Sequence, residues 1–136
     1  MERSGVDIVL VDDDPDFVEI TSSVLARAGH RVRAFDDPDE AFEFLRGHPA
    51  DLVVSDLMVK TLDAGFGLAR RLKASEETRH IPIIIVTAAS SQRGFDFTPH
   101  TDAELASMSA DAFFNKPVEP AALLEAVRRL TGHTGG

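Results

Sequence analysis

The stretch Ile8-Val9-Leu10-Val11-Asp12-Asp13-Asp14-Pro15 decides the fold. Four apolar residues in succession, bounded by turn residues, suit a strand buried on both faces. Three carboxylates follow at once, then a proline that can open a helix with Asp14 as its N-cap. The first unit is therefore strand, acidic turn, helix. Along that helix Phe17, Thr21, Val24 and Ala28 recur on one stripe until Gly29.

The same rhythm continues outward. Continuous apolar runs return at residues 52–54 and 83–86, with a weaker one at 112–114, while Arg31-Val32-Arg33-Ala34-Phe35 alternates and so predicts an edge strand with one wet face. Asp37-Pro38-Asp39-Glu40 repeats the capping device before Ala41, Phe42 and Leu45, and Gly47 stops that helix. A third apolar face comes from Leu68, Ala69 and Leu72, with Arg70, Arg71 and Lys73 outside. Leu123, Leu124, Val127 and Leu130 supply a last one after Pro120. Alternating strands and helices imply right-handed crossovers into a doubly wound α/β fold, a five-stranded parallel sheet with helices on both faces. Residues 90–110 break the rhythm and read as a long loop followed by a short helix.

Composition bounds the rest. A length of 136 residues fits one domain, and zero cysteines remove thiol nucleophiles, disulfides and thiolate-bound zinc. The formal charge of −9 has the wrong sign for gripping a phosphate backbone, so no nucleic acid is expected as a partner. The apolar run before Asp12 is too short for a signal peptide core or a membrane span, so a soluble, cytoplasmic chain is the expectation. His30, His48, His80, His100 and His133 show no metal-ligand spacing and read as solvated.

In such a fold, function sits where the strands end. The buried runs end in Asp12-Asp13-Asp14, Ser55-Asp56, Thr87-Ala88 and Asn115-Lys116-Pro117. Carboxylates gathered there repel by roughly 4 kcal/mol per pair at 4 Å and an effective dielectric of 20. Lys116 offsets part of this, and a hard divalent cation held by oxygens offsets more. Acids, hydroxyl and lysine together suggest phosphoryl chemistry. Each residue also has a plainer reading: Asp12, Asp13 and Asp14 as capping and loop carboxylates, Asp56 as a loop acid, Thr87 as a strand end, and Lys116-Pro117 as a turn.

In that order and spacing, Asp12-Asp13-Asp14, Asp56, Thr87-Ala88 and Lys116-Pro117 resemble the receiver domain of bacterial two-component response regulators, over nearly the whole chain. The resemblance implies the flavodoxin-like strand order 2-1-3-4-5 and makes Asp56 the phosphoacceptor. It implies that Asp13, Asp56 and the backbone carbonyl of Met58 bind Mg²⁺ (or Mn²⁺), with Asp12 holding the metal's water shell. Lys116 would contact the acyl phosphate, and Thr87 would hydrogen-bond a phosphoryl oxygen. Its movement would make room for Phe113 as the switch aromatic. Ala88 would keep the phosphate's access open, and the Lys116-Pro117 bond would be cis. The implied partners are a sensor histidine kinase or phosphotransfer protein and a downstream target, with the chain a monomer or a phosphorylation-dependent dimer. No external substrate is expected, and the chain reads as a stand-alone receiver with its core at about residues 6–131 and no output domain.

Three departures qualify the match. Lys60 stands where similar domains commonly carry a proline, and the loop to Gly65 and Gly67 is longer. The span from Thr87 to Lys116 is also extended, so the helix those domains place fourth is expected to be short, displaced or absent. Two rivals follow. One is a pseudo-receiver that binds partners without phosphorylation. The other is a small haloacid-dehalogenase-type phosphatase using Asp12 and Asp14, against which stands the lack of an acidic pair after the fourth strand and of a cap domain.

Overall fold

A computed structural model describes residues 5–48, 50–56, 62–87, 110–116 and 118–132; for residues 62–67 and 87 the backbone alone is described. The elements run β1(Asp7–Val11), α1(Pro15–Arg27), β2(Arg31–Phe35), α2(Pro38–Gly47), β3(Leu52–Asp56), α3(Leu62–Ala74), β4(Ile83–Thr87), β5(Ala112–Asn115) and α4(Pro120–Thr131). All strand pairs are parallel and the order is β2-β1-β3-β4-β5. This is the expected doubly wound sheet with β2 at one edge. The displaced helix expected between β4 and β5 falls outside the described residues.

Residue parity divides the core. Val9, Val11, Val53, Ile83 and Ile85 face α2 and α3, meeting Ala41, Leu45, Leu68 and Leu72. Their chain neighbours Ile8, Leu10, Leu52, Val54, Ile84 and Val86 face α1 and α4, meeting Leu25, Leu123, Ala126 and Val127. Both faces of the three central strands are dry, which is why their sequences run apolar without alternation. A fully buried Val, Leu or Ile contributes about 1.5–3 kcal/mol relative to exposure.

Both expected N-caps form. Asp14 accepts from the backbone N–H of Asp16 and Phe17, and Asp37 from that of Asp39, each ahead of a proline in the first turn. The face of α1 differs from the predicted stripe. Thr21 and Leu25 are its buried residues, whereas Phe17, Val24 and Ala28 are only partly covered. The helix is rolled so that a pair four residues apart meets the sheet. Gly29 follows with φ 96°, and the backbone of Gly5 packs against it so closely that a Cβ on Gly5 would lie 2.0 Å from the Gly29 carbonyl oxygen.

Two further side chains depart from expectation. His30 is buried, not solvated, because its Nδ1 accepts from the Val6 N–H at 3.1 Å. Lys73 turns inward to Asp111, 3.1 Å away, instead of projecting from α3. Asp111 also accepts from the Ile83 N–H, and Asp51 accepts from the Asp7 N–H, both at 2.8 Å. Each of these carboxylates precedes its own strand and closes the first N–H of the strand beside it. His48 and His80 are exposed, as read.

Candidate functional site

The carboxyl ends of β1, β3 and β5 converge. Asp12 leaves β1 with its N–H donating to the Phe35 carbonyl at 3.0 Å, which ties the turn to the end of β2. Its side chain is buried, and Oδ1 accepts from the Asp14 N–H at 2.8 Å. Asp56 ends β3 and is 5% exposed, whereas Asp13 is exposed. One carboxylate oxygen from each of Asp12, Asp13 and Asp56 lies within 4.8 Å of the other two. Asp14 stands apart as the α1 cap, so the plainer capping role holds for the third acid of the triplet and not for the first two.

Lys116, directly after β5, points inward. Its Nζ donates to Asp56 Oδ2 at 3.1 Å and forms an ion pair with Asp12 Oδ2 at 2.8 Å. That Asp12 oxygen is fully buried, and among the described residues the ammonium is the group that meets its charge. The ammonium also lies 4.3 Å from the centroid of the Phe17 ring.

The electrostatics follow from this crowding. Burial pushes the Asp12 carboxyl up, Lys116 pulls it back, and repulsion from Asp56 adds to the rise, placing its pKa at about 6 against an ordinary 3.8. For Lys116 burial acts downward, yet the contact with Asp12 and the attraction of both carboxylates outweigh it. Its pKa is raised above the ordinary 10.5 and the group is a cation at neutral pH. Three carboxylates against one ammonium leave an excess of negative charge that a hard divalent cation matches. The three carboxylate oxygens lie close enough together to share one such ion, directly or through its water shell.

Thr87 ends β4 in register with Asn115 and one position beyond Val86, the partner of Asp56. Phe113 pairs with Ile85 and packs half-buried against the core that α2 and α3 cover. Met58, Ala88, Lys60 and the Lys116-Pro117 bond's second residue lie outside the described residues. Sequence reasoning assigned Phe17 to a packing stripe and missed its place against Lys116. The available signal was an aromatic in the first turn of α1, four residues after Asp13.

A doubly wound parallel sheet with two buried acids, an exposed acid and an inward lysine at its carboxyl edge defines a phosphoacceptor class of α/β module. The response regulator receiver domain family matches residues 8–128, and the chain belongs to that family. Among curated relatives, it is 33% identical over 124 residues to response regulator GtcR of Aneurinibacillus migulanus, covering 90% of this chain and 45% of that protein. It is 31% identical over 131 residues to the phosphate regulon transcriptional regulatory protein PhoB of Pseudomonas aeruginosa, covering 94% and 54%. The chain thus spans about half the length of these relatives. Among solved structures, it is similar to the receiver domain of a Pseudomonas aeruginosa sensor histidine kinase with a magnesium ion coordinated in its active site cleft. The TM-score there is 0.78 with 27% identity, covering 94% of this chain and 98% of that one. Chemotaxis response regulator CheY4 of Vibrio cholerae shares the fold, with a TM-score of 0.76 at 22% identity over 91% and 97% of the two chains. The chain is a receiver domain of two-component signalling.

Proposed function

We propose that Asp56 takes a phosphoryl group from the phosphohistidine of a sensor histidine kinase or phosphotransfer protein, and that the altered surface then recruits another protein. The observation that carries this reading is Lys116 bridging Asp12 and Asp56 beside the exposed Asp13. In the transfer a carboxylate oxygen of Asp56 attacks phosphorus, the P–N bond breaks, and the leaving imidazole regains a proton from solvent. Asp12, Asp13, Asp56 and the Met58 carbonyl would hold Mg²⁺ or Mn²⁺, Asp12 through water. The bound cation supplies positive charge against the negative charge spread over the phosphoryl oxygens.

The chain's own groups do the positioning. Lys116 fixes Oδ2 of Asp56 and brings a permanent cation to the acceptor. Burial of Asp56 strengthens that attraction, since local dielectric is lower than in water. Thr87, at the end of the neighbouring strand, is assigned to hydrogen-bond a phosphoryl oxygen. Phe113, half-buried two residues before Asn115, is assigned as the aromatic that moves with it, and Ala88 as the small residue keeping access open. The module acts on its own carboxylate and has no external substrate. Its setting is the cytoplasm, which the absence of cysteine accommodates.

The test is intact-protein mass after incubation with acetyl phosphate and Mg²⁺, beside Asp56→Asn and a metal-free control. One hydroxylamine-labile phosphoryl adduct, on the unmutated chain and only with metal, is the expected result. No adduct, together with no binding of beryllofluoride, overturns the proposal in favour of an interaction module that works unphosphorylated.

A further inference from the structure

We infer that Phe17 is a positioning residue for Lys116: among the described residues its ring face meets the ammonium beside the two carboxylates of Asp12 and Asp56. The inference rests on the reading of Lys116 as the cation at the phosphoacceptor. An ammonium has three N–H directions and accepts nothing. Among the described residues, Lys116 Nζ meets Asp12 Oδ2 at 2.8 Å, Asp56 Oδ2 at 3.1 Å and the Phe17 centroid at 4.3 Å. Among the described residues, the group facing the third side of the cation is thus a ring.

The ring does two things there that a carboxylate or a water could not do together. Its negative face attracts the cation, more strongly when water is excluded, and its bulk keeps water from that side. A third carboxylate would instead draw the ammonium away from Asp56. Water would compete for the N–H bonds and free the four-carbon stem to change rotamer. Phe17 is held in turn by the α1 cap, since its N–H donates to Asp14 Oδ1 at 3.4 Å. Asp14 belongs to the same turn as Asp12 and Asp13. The acidic turn and the lysine are therefore located by one short segment, residues 12–17, although Lys116 lies on the far strand.

The experiment uses the full chain with Phe17→Leu, which keeps apolar bulk and loses the ring, and Phe17→Tyr, which keeps the ring. Phe17→Met is the second ring-free variant should Phe17→Leu fail to fold. The first readout is the proton resonance of the Lys116 ε-methylene, which a phenyl face shifts upfield and mere packing in the core does not. It is expected upfield in the parent chain and in Phe17→Tyr, and near the position of Lys73 in the ring-free variants. The second readout is the rate of adduct formation with acetyl phosphate and Mg²⁺. This should fall about fivefold in the ring-free variants and stay within about twofold in Phe17→Tyr. Combining Phe17→Leu with Lys116→Met should slow the rate no further than Lys116→Met does. An adduct formed by a parent chain whose Lys116 resonance is unshifted overturns the role of Phe17 alone, as do effects of the two substitutions that multiply. An upfield resonance in a chain that never takes a phosphoryl group overturns the phosphoacceptor reading, and the positioning role with it.

Discussion

Asp12 is the residue at which the site's electrostatics are felt most. It is buried beside Asp56, and its carboxyl titrates at about 6 in the fold against 3.8 when free. Between those values the folded protein binds more protons than the unfolded one, so stability falls as pH rises. The contribution is complete below pH 3.8 and gone once pH has passed through about 6, a swing on the order of 3 kcal/mol. Urea unfolding of the metal-free protein should therefore show lower stability at pH 7.5 than at pH 5, and Asp12→Asn should flatten that difference. Added Mg²⁺ should restore more stability at pH 7.5 than at pH 5, because a proton on Asp12 opposes the ion. An undiminished pH slope in Asp12→Asn would assign the effect elsewhere. At this scale the sequence was informative about the acids and the lysine, since strand ends are easy to locate and their contents read directly. It misread His30 as solvated, since that burial depends on a backbone N–H 24 residues away, and it was silent on the place of Phe17 beside Lys116, because a stripe of apolar residues explains Phe17 equally well as packing.

Among elements, the strands were the most legible because burial on both faces removes polar residues altogether, leaving runs such as residues 83–86 unmistakable. Strand ends were read one residue short at β4 and β5 and two short at β3, since Ser55, Asp56, Thr87 and Asn115 pair in the ladder despite being polar. The roll of α1 was harder. Thr21 fits both the predicted stripe and the observed one, and only the packing of Leu25 against the sheet decides between them. The amino ends of the strands carry a second device that pattern reading passed over. Asp111 accepts from the Ile83 N–H and from Lys73, joining α3, β4 and β5. Removing its carboxylate leaves a buried strand N–H unanswered, which costs about 1–3 kcal/mol. Asp111→Ala should lower stability in urea by that amount. Asp111→Asn should lose less than about 1 kcal/mol if its amide oxygen keeps the Ile83 bond and only the half-exposed ion pair is lost. Equal losses in the two variants would place the energy in the ion pair instead.

At the scale of the whole molecule, the sheet separates two cores among the described residues, one on each of its faces. Ile8 belongs to the core under α1 and α4, and Ile85 to the one under α2 and α3. The strands bearing them, β1 and β4, are separated by β3, roughly 10 Å apart at sheet spacing. Ile8→Val and Ile85→Val should each cost about 0.5–1.5 kcal/mol, and the double variant should lose their sum to within about 0.5 kcal/mol. A clear excess over the sum in denaturant titrations would mean that the two layers yield together. The open side of β2 bears on a different question, how such a sheet avoids growing. Arg31 and Arg33 stand exposed on that strand, and Arg33 is its central residue. A second copy laid antiparallel along β2 and centred there would bring Arg33 against its own counterpart, as would a parallel copy in register, whereas Arg31 is ion-paired with Asp7. Like charges facing across a strand pair are destabilising. The exposed edge thus repels its own likeness, so that chains crowded together are turned away from stacking into a ribbon.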